Sequence, residues 1–143
     1  MNLLFEKATQ KDIPVIFSQA KELIDQYEDL SSIDYEKVMA WVQKKIETNI
    51  DAYTAVSRDG QICSYYHLRE SGELDDLYVL PGFRGSGIGT QILEKCGSDS
   101  SRSLWLYVFS GNTRAISFYE RCGFTLRETV SKTRLIMEKR LTG

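Results

Sequence analysis

Histidine is almost missing from this chain: His67 stands alone, and the cysteines are only Cys63, Cys96 and Cys122. Three thiols far apart, in no paired-ligand spacing and with one histidine, support neither a zinc site nor a disulfide framework. Reduced cysteines in a cytoplasmic protein without a metal are the expectation. Proline is equally scarce, at Pro14 and Pro81, so few positions are barred from helix or ladder. Long apolar runs are absent too; stretches such as Leu104 to Ser110 are far below the roughly 20 residues of a membrane span. Met1 to Lys7 passes straight into a strand-like pattern, unlike a cleaved secretion signal. An excess of charge is lacking as well: the net value of -2 gives no bulk attraction to nucleic acid.

What is present is ordinary globular chemistry. Hydrophobic residues make 42% and charged residues 27% of 143 positions, enough for one domain over residues 1–143 with one sizeable core. A monomer or homodimer is expected. Leu3 to Ala8 reads as a strand, and Thr9 with Asp12 three positions on forms a helix-start box ahead of Pro14. Ile13, Ile16, Phe17, Ala20, Leu23, Ile24 and Tyr27 then follow helical spacing. A second helix is expected from Asp34 to Thr48, with Tyr35, Val38, Met39, Val42 and Ile46 inward.

From Ala52 the period changes to two. Ala52 to Ser57 and Ile62 to Leu68 flank the turn at Asp59-Gly60 and read as a hairpin. Glu73 to Leu80 is the next strand, ended by Pro81. A glycine-rich turn follows, then a helix with Ile88, Ile92, Leu93 and Cys96 inward, a strand from Leu104 to Phe109, and a short helix from Thr113 to Arg121. Gly123 is an expected left-handed cap, and Phe124 to Thr129 with Arg134 to Lys139 close the chain. The fold class is therefore α/β (α+β), with element order β-α-α-β-β-β-α-β-α-β-β.

The glycine-rich turn carries the chemistry. A phosphate-binding Walker loop needs Lys followed by Ser or Thr after its last glycine, but Gly87 is followed by Ile88. A dinucleotide fingerprint starting at Gly85 needs glycine where Thr90 stands, and one starting at Gly87 needs it at Ile92. Both fail. What remains is a run of residues without Cβ before a helix, whose N–H groups can converge on an anion that the helix dipole also favours.

Arg84-Gly85-Ser86-Gly87-Ile88-Gly89 resembles the first cofactor-handling motif of the GNAT N-acetyltransferase superfamily. Asn112, Ala115, Phe118, Tyr119, Gly123 and Phe124 resemble the second. The resemblance is specific from about Glu73 to Phe124 and rests on element order elsewhere. It implies a mixed, mostly antiparallel central sheet of about six to seven strands flanked by four helices. It implies acetyl-CoA as acyl donor, its pantetheine arm along Leu77, Tyr78 and Val79 and its pyrophosphate on the N–H groups over Gly85 to Thr90. By the same resemblance Asn112 touches the donor arm and Tyr119 faces its sulfur as general acid, while Phe118 is packing. The acceptor is a primary amine of a small molecule or peptide; a non-catalytic acyl-CoA-binding or regulatory module on the same fold is the alternative.

For an acceptor of pKa about 10.4, reaching the neutral form at pH 7 costs about 4 to 5 kcal/mol, so a base is useful. Glu73 matches the position of the strand glutamate in the protein-acetylating branch, with Asp75 or water in reserve. Period-two geometry sets Glu73, Asp75, Leu77 and Val79 on one face, with Asp76 and Tyr78 on the other. Relatives that acetylate protein amino termini carry a glutamate where this chain has Tyr107, a departure from that branch. His67 reads as a structural strand residue. Glu22 to Glu36 holds six acids and no Lys or Arg, which serves either as a solvated face or as a wall attracting a cationic amine.

Overall fold

The computed structural model describes residues 2–100 and 103–141; the first residue and the last two of the expected domain lie outside them. Strand β1 (Leu3–Lys7) leads through Thr9, whose N–H donates to Asp12 Oδ2 at 2.8 Å, into a 3-10 turn and helix α1 (Ile13–Tyr27) with Pro14 in its first turn. Helix α2 (Tyr35–Asn49) is capped by Asp34, whose carboxylate accepts the Lys37 N–H at 3.3 Å. The expected inner stripes hold: Ile13, Ile16 and Ala20 of α1 and Val42 and Ile46 of α2 are buried in a common core. Tyr35 departs from that expectation by lying outside the core, where its hydroxyl donates to Asp25 of α1 at 2.6 Å.

Strands β2 (Thr54–Arg58) and β3 (Gln61–Leu68) form the hairpin, and β4 (Leu74–Val79) pairs antiparallel with β3. Asp59 and Gly60 both have left-handed backbone, φ 54° and 82°, as a two-residue turn matched to strand twist requires. Helix α3 (Ile88–Asp99), strand β5 (Leu104–Phe109), helix α4 (Thr113–Arg121) and strands β6 (Thr125–Thr129) and β7 (Arg134–Lys139) follow. Gly123, just past α4, has φ 96°, the expected left-handed cap.

The seven strands divide into two sheets, ordered β1-β2-β3-β4 and β5-β7-β6. Among the described residues one parallel bridge joins them, Glu73 with Trp105. Beyond it β4 and β5 part, and the rest of the β4 edge has no strand partner. One core, built on Ile88, Ile92, Leu93 and Cys96, packs α3 against both sheets, while the other holds α1 and α2 on the opposite face of the first sheet. Among the described residues no helix is long and apolar enough to cross a membrane.

One expectation about β4 is corrected. His67 pairs with Asp76 but Leu68 with Leu74, so one residue, Asp75, is inserted in β4 as a bulge. The alternation resets there. Asp75 and Asp76, expected on opposite faces, both reach Lys45 of α2, at 3.5 and 3.4 Å.

Candidate active site

Where the sheets part, an open groove of about 1860 Å³ runs between them. Every site residue expected from the sequence lines it except Ser86: Glu73, Leu77, Tyr78, Val79, Arg84, Gly85, Gly87, Ile88, Gly89, Thr90, Asn112 and Tyr119. Residues from three separate chain segments, Glu73 with strand β4, the glycine turn with the start of α3, and α4 with its cap, are thus brought to one place.

The N–H of Leu80 donates to Cys63 of β3 at 2.9 Å. By alternation, the main-chain groups of Leu77 and Val79 point away from β3, toward the unpaired edge. The Nε of Arg84 donates to the Val79 carbonyl at 3.0 Å, clasping the glycine turn to that edge. Tyr78 instead turns its ring into the core and donates its hydroxyl to Asp76 at 2.8 Å.

That edge runs directly into the start of α3. Gly87 is its N-cap in left-handed conformation, φ 83°, and has no side chain to cap the helix. The first intrahelical bond is from Gln91 N–H to the Gly87 carbonyl at 3.2 Å, so the N–H groups of Ile88, Gly89 and Thr90 have no intrahelical partner. Ser86 donates its hydroxyl to the Phe83 carbonyl within the turn. Ile88 is buried in the core, leaving only its main chain to the groove.

Gly89 has a second reason to be glycine. A Cβ there meets the Phe118 ring of α4 at 2.8 Å, inside contact distance. Gly89→Ala is therefore expected to push that ring and lower stability by about 1 kcal/mol net. The overpacking costs about 1–3 kcal/mol, part of which improved helix propensity offsets. A urea melt reads this, and an unchanged midpoint would mean that the ring yields freely.

Asn112 caps α4, its side-chain oxygen accepting the Ala115 N–H at 3.2 Å. Next to Phe118 in the chain, Tyr119 is half-buried between Phe118 and Phe124, with ring centroids 5.3 and 5.4 Å away. Its hydroxyl makes no hydrogen bond among the described residues. Burial, and then the nearby thiols of Cys122 and Cys96, push the phenol above its ordinary value. It stays protonated at neutral pH.

Glu73 is also partly buried, with Arg69 Nε at 3.8 Å. Burial first, then the Asp75 charge, raise its pKa from the ordinary glutamate value, against the pull of Arg69 and Lys45. Asp75 behaves oppositely. Burial acts to raise it, yet His67, Lys45 and Arg69, whose Nη2 stands at 2.9 Å, together hold it well below the usual carboxylate range. His67 is buried against the Tyr53 ring, with Nδ1 3.4 Å from Asp75. Among the described residues no cluster of His, Cys, Asp or Glu is arranged to hold a metal.

The acidic stretch Glu22 to Glu36 is largely occupied with itself. Asp25 takes Lys21 and the Tyr35 hydroxyl, both at 2.6 Å, while Asp29 and Asp34 cap turns. Glu22 and Glu28 line the groove. Lys45, Arg69 and Arg134 also line it, and none was singled out from sequence. Only strand register and helix docking bring them there, and no local pattern signals that.

A model of the acetyltransferase (GNAT) family matches residues 17–124. Over 77 residues the chain is 40% identical to an uncharacterized N-acetyltransferase of Methanocaldococcus jannaschii, covering 51% of this chain and 34% of that one. Over 105 residues it is 30% identical to a mycothiol acetyltransferase of Streptomyces griseus, covering 67% and 32%. The matches thus span about a third of the length of these curated relatives. A crystal structure of the PaiA N-acetyltransferase from Thermoplasma acidophilum in complex with coenzyme A superposes with a TM-score of 0.70 at 20% identity, covering 98% of this chain and 99% of that one. With the parted sheets, the glycine cradle and a family match over more than half of its length, this chain belongs to the acetyltransferase (GNAT) family.

Proposed function

We propose that this protein transfers the acetyl group of acetyl-CoA to a primary amine of a small molecule or peptide. The observation that carries the reading is the continuity of a strand edge at Leu77 and Val79, which pairs with no further strand among the described residues, with an uncapped helix start at Gly87. An amide-bearing pantetheine arm suits the first, as an added strand would. A pyrophosphate suits the second.

In the reaction the neutral amine attacks the thioester carbonyl, forming C–N as C–S breaks and releasing coenzyme A thiolate. The amine's proton goes to Glu73, directly or through water, and the thiolate is met by Tyr119. A phenol raised above 10 gives its proton to a thiolate of about 8.5 only uphill. Tyr119 therefore acts first by hydrogen-bonding the developing charge, with protonation completing as the thiol departs.

Steady-state thiol release over an amine panel tests the activity. A native protein that binds acetyl-CoA yet turns over with no amine is a binding module instead. The pH profile tests the base. Glu73 accepts a proton only when ionised, and its raised pKa means that this form is lost as pH falls through a value above the ordinary glutamate range. An inflection of kcat/KM is expected there, and it should be lost in Glu73→Gln, which leaves only the dependence set by the amine's own pKa of about 10.4 and a rate loss of about a hundredfold or more. An inflection identical in both forms assigns the proton to another group.

A further inference from the structure

Arg134 opens β7 directly opposite Phe109 of β5. Its guanidinium stands 5.3 Å from the centroid of Phe109 and 5.6 Å from that of Tyr107. Both rings line the groove, where Tyr27 of α1 stacks on Phe109 at 6.1 Å. A guanidinium held this way gives one face to the aromatics and keeps its donors in the plane, free to take a carboxylate in a two-pronged bond.

Nothing among the described residues takes them. Among the described residues Arg134 has no ion pair and no side-chain hydrogen bond. The cations nearer Glu73 are engaged, Lys45 with Asp75 and Asp76 and Arg69 with Asp75. Glu28 accepts the hydroxyl of the neighbouring Thr133 on Oε1 at 2.6 Å and makes no ion pair with Arg134 among the described residues. The groove that Glu73 lines therefore also holds an exposed guanidinium on an aromatic shelf, with no anion paired to it among the described residues.

We infer that the acceptor amine carries a carboxylate, and that Arg134, stacked on Tyr107 and Phe109, binds it. This deepens the transferase reading and rests on it for the position of the amine. Trp105 bridges Glu73, and Tyr107 and Phe109 lie two and four residues further along β5. At about 3.3 Å per residue, Arg134 stands about 7 to 13 Å along the strand from Glu73. An α-amino acid cannot span that gap. The substrate class is an amine with its carboxylate several bonds away.

The test uses glycine, β-alanine, γ-aminobutyrate and ε-aminocaproate, each with its own amide, and acetyl-CoA as donor. For the longer acids native kcat/KM is expected to exceed that of the matched amide about tenfold or more, as a charge-assisted bond implies. In Arg134→Gln that ratio falls to about one, and in Arg134→Lys it is intermediate. The ratio cancels any general loss of folded protein. A native preference for amides, or a ratio unmoved in Arg134→Gln, overturns the proposal. Calorimetry of the same pairs on protein saturated with coenzyme A separates the two readings. Acid preference in binding without turnover defeats the transferase reading alone, whereas no acid preference in binding, or no binding at all, overturns the role of Arg134.

Discussion

Tyr119→Phe is expected to lower kcat for thiol release about a hundredfold, with little change in the KM for acetyl-CoA. The substitution removes one oxygen and keeps the ring, which packs between Phe118 and Phe124. Stability should therefore stay close to native. What is lost is a phenol donor that burial keeps protonated across the neutral range and that no other residue engages among those described. A hydrogen bond to a charge formed only as C–S breaks stabilises the transition state rather than bound acetyl-CoA, so the loss belongs in kcat. Typical losses for a removed donor of this kind run from about 100-fold upward. Single-turnover rates, which exclude product release, are the measurement. A phenylalanine variant within about threefold of native would assign thiolate protonation to solvent.

Asp76→Ala is expected to cost about 3–5 kcal/mol of stability. Three groups converge on this carboxylate. The Tyr53 hydroxyl donates a short hydrogen bond to Oδ2, the Tyr78 hydroxyl donates to Oδ1 at 2.8 Å, and Lys45 Nζ stands 3.4 Å from Oδ2. Both tyrosines are buried and Lys45 is mostly covered. Each phenol left without an acceptor costs about 1–3 kcal/mol, because the site that removed its water no longer replaces it. The ammonium keeps Asp75, which limits its share. Asp76→Asn retains one acceptor and should lose about half as much. For a domain of this size the alanine variant's thermal midpoint should fall by about 10 °C or more. A midpoint within 2 or 3 °C of native, an approximate threshold set by the same scaling, would show that water reaches these hydroxyls.

These two residues show unequally what sequence can reveal. The position of Tyr119 on α4 is legible because its signal is local, a capping Asn112, helical spacing and a glycine stop at Gly123, whereas its role comes from the family resemblance. The glycine turn was legible for the same reason, since Gly87 and the apolar stripe of α3 are set by backbone freedom and period alone. In sequence Asp76 is only a residue facing away from Glu73. Its role follows from the bulge at Asp75, which depends on how β4 pairs with β3, and from Tyr53 and Lys45, which lie 23 and 31 positions earlier in the chain.

The division into two sheets has the same character. Each strand is a local pattern, but the single bridge between Glu73 and Trp105, and the parting beyond it, is decided by which strands meet. The acidic stretch from Glu22 to Glu36 carries six negative charges in sequence; Asp34 is engaged locally as a helix cap, and docking of α1 against α2 adds the Tyr35 hydroxyl to Asp25. Arg134 is unremarkable in sequence, yet strand register sets it on Phe109 and Tyr107 in the groove. By itself the sequence determined the order of elements, the glycine cradle and the placement of Asn112 and Tyr119, all properties of neighbouring residues. Only the tertiary structure decided which charges are paired and which are free, because pairing depends on distances between residues remote in the chain.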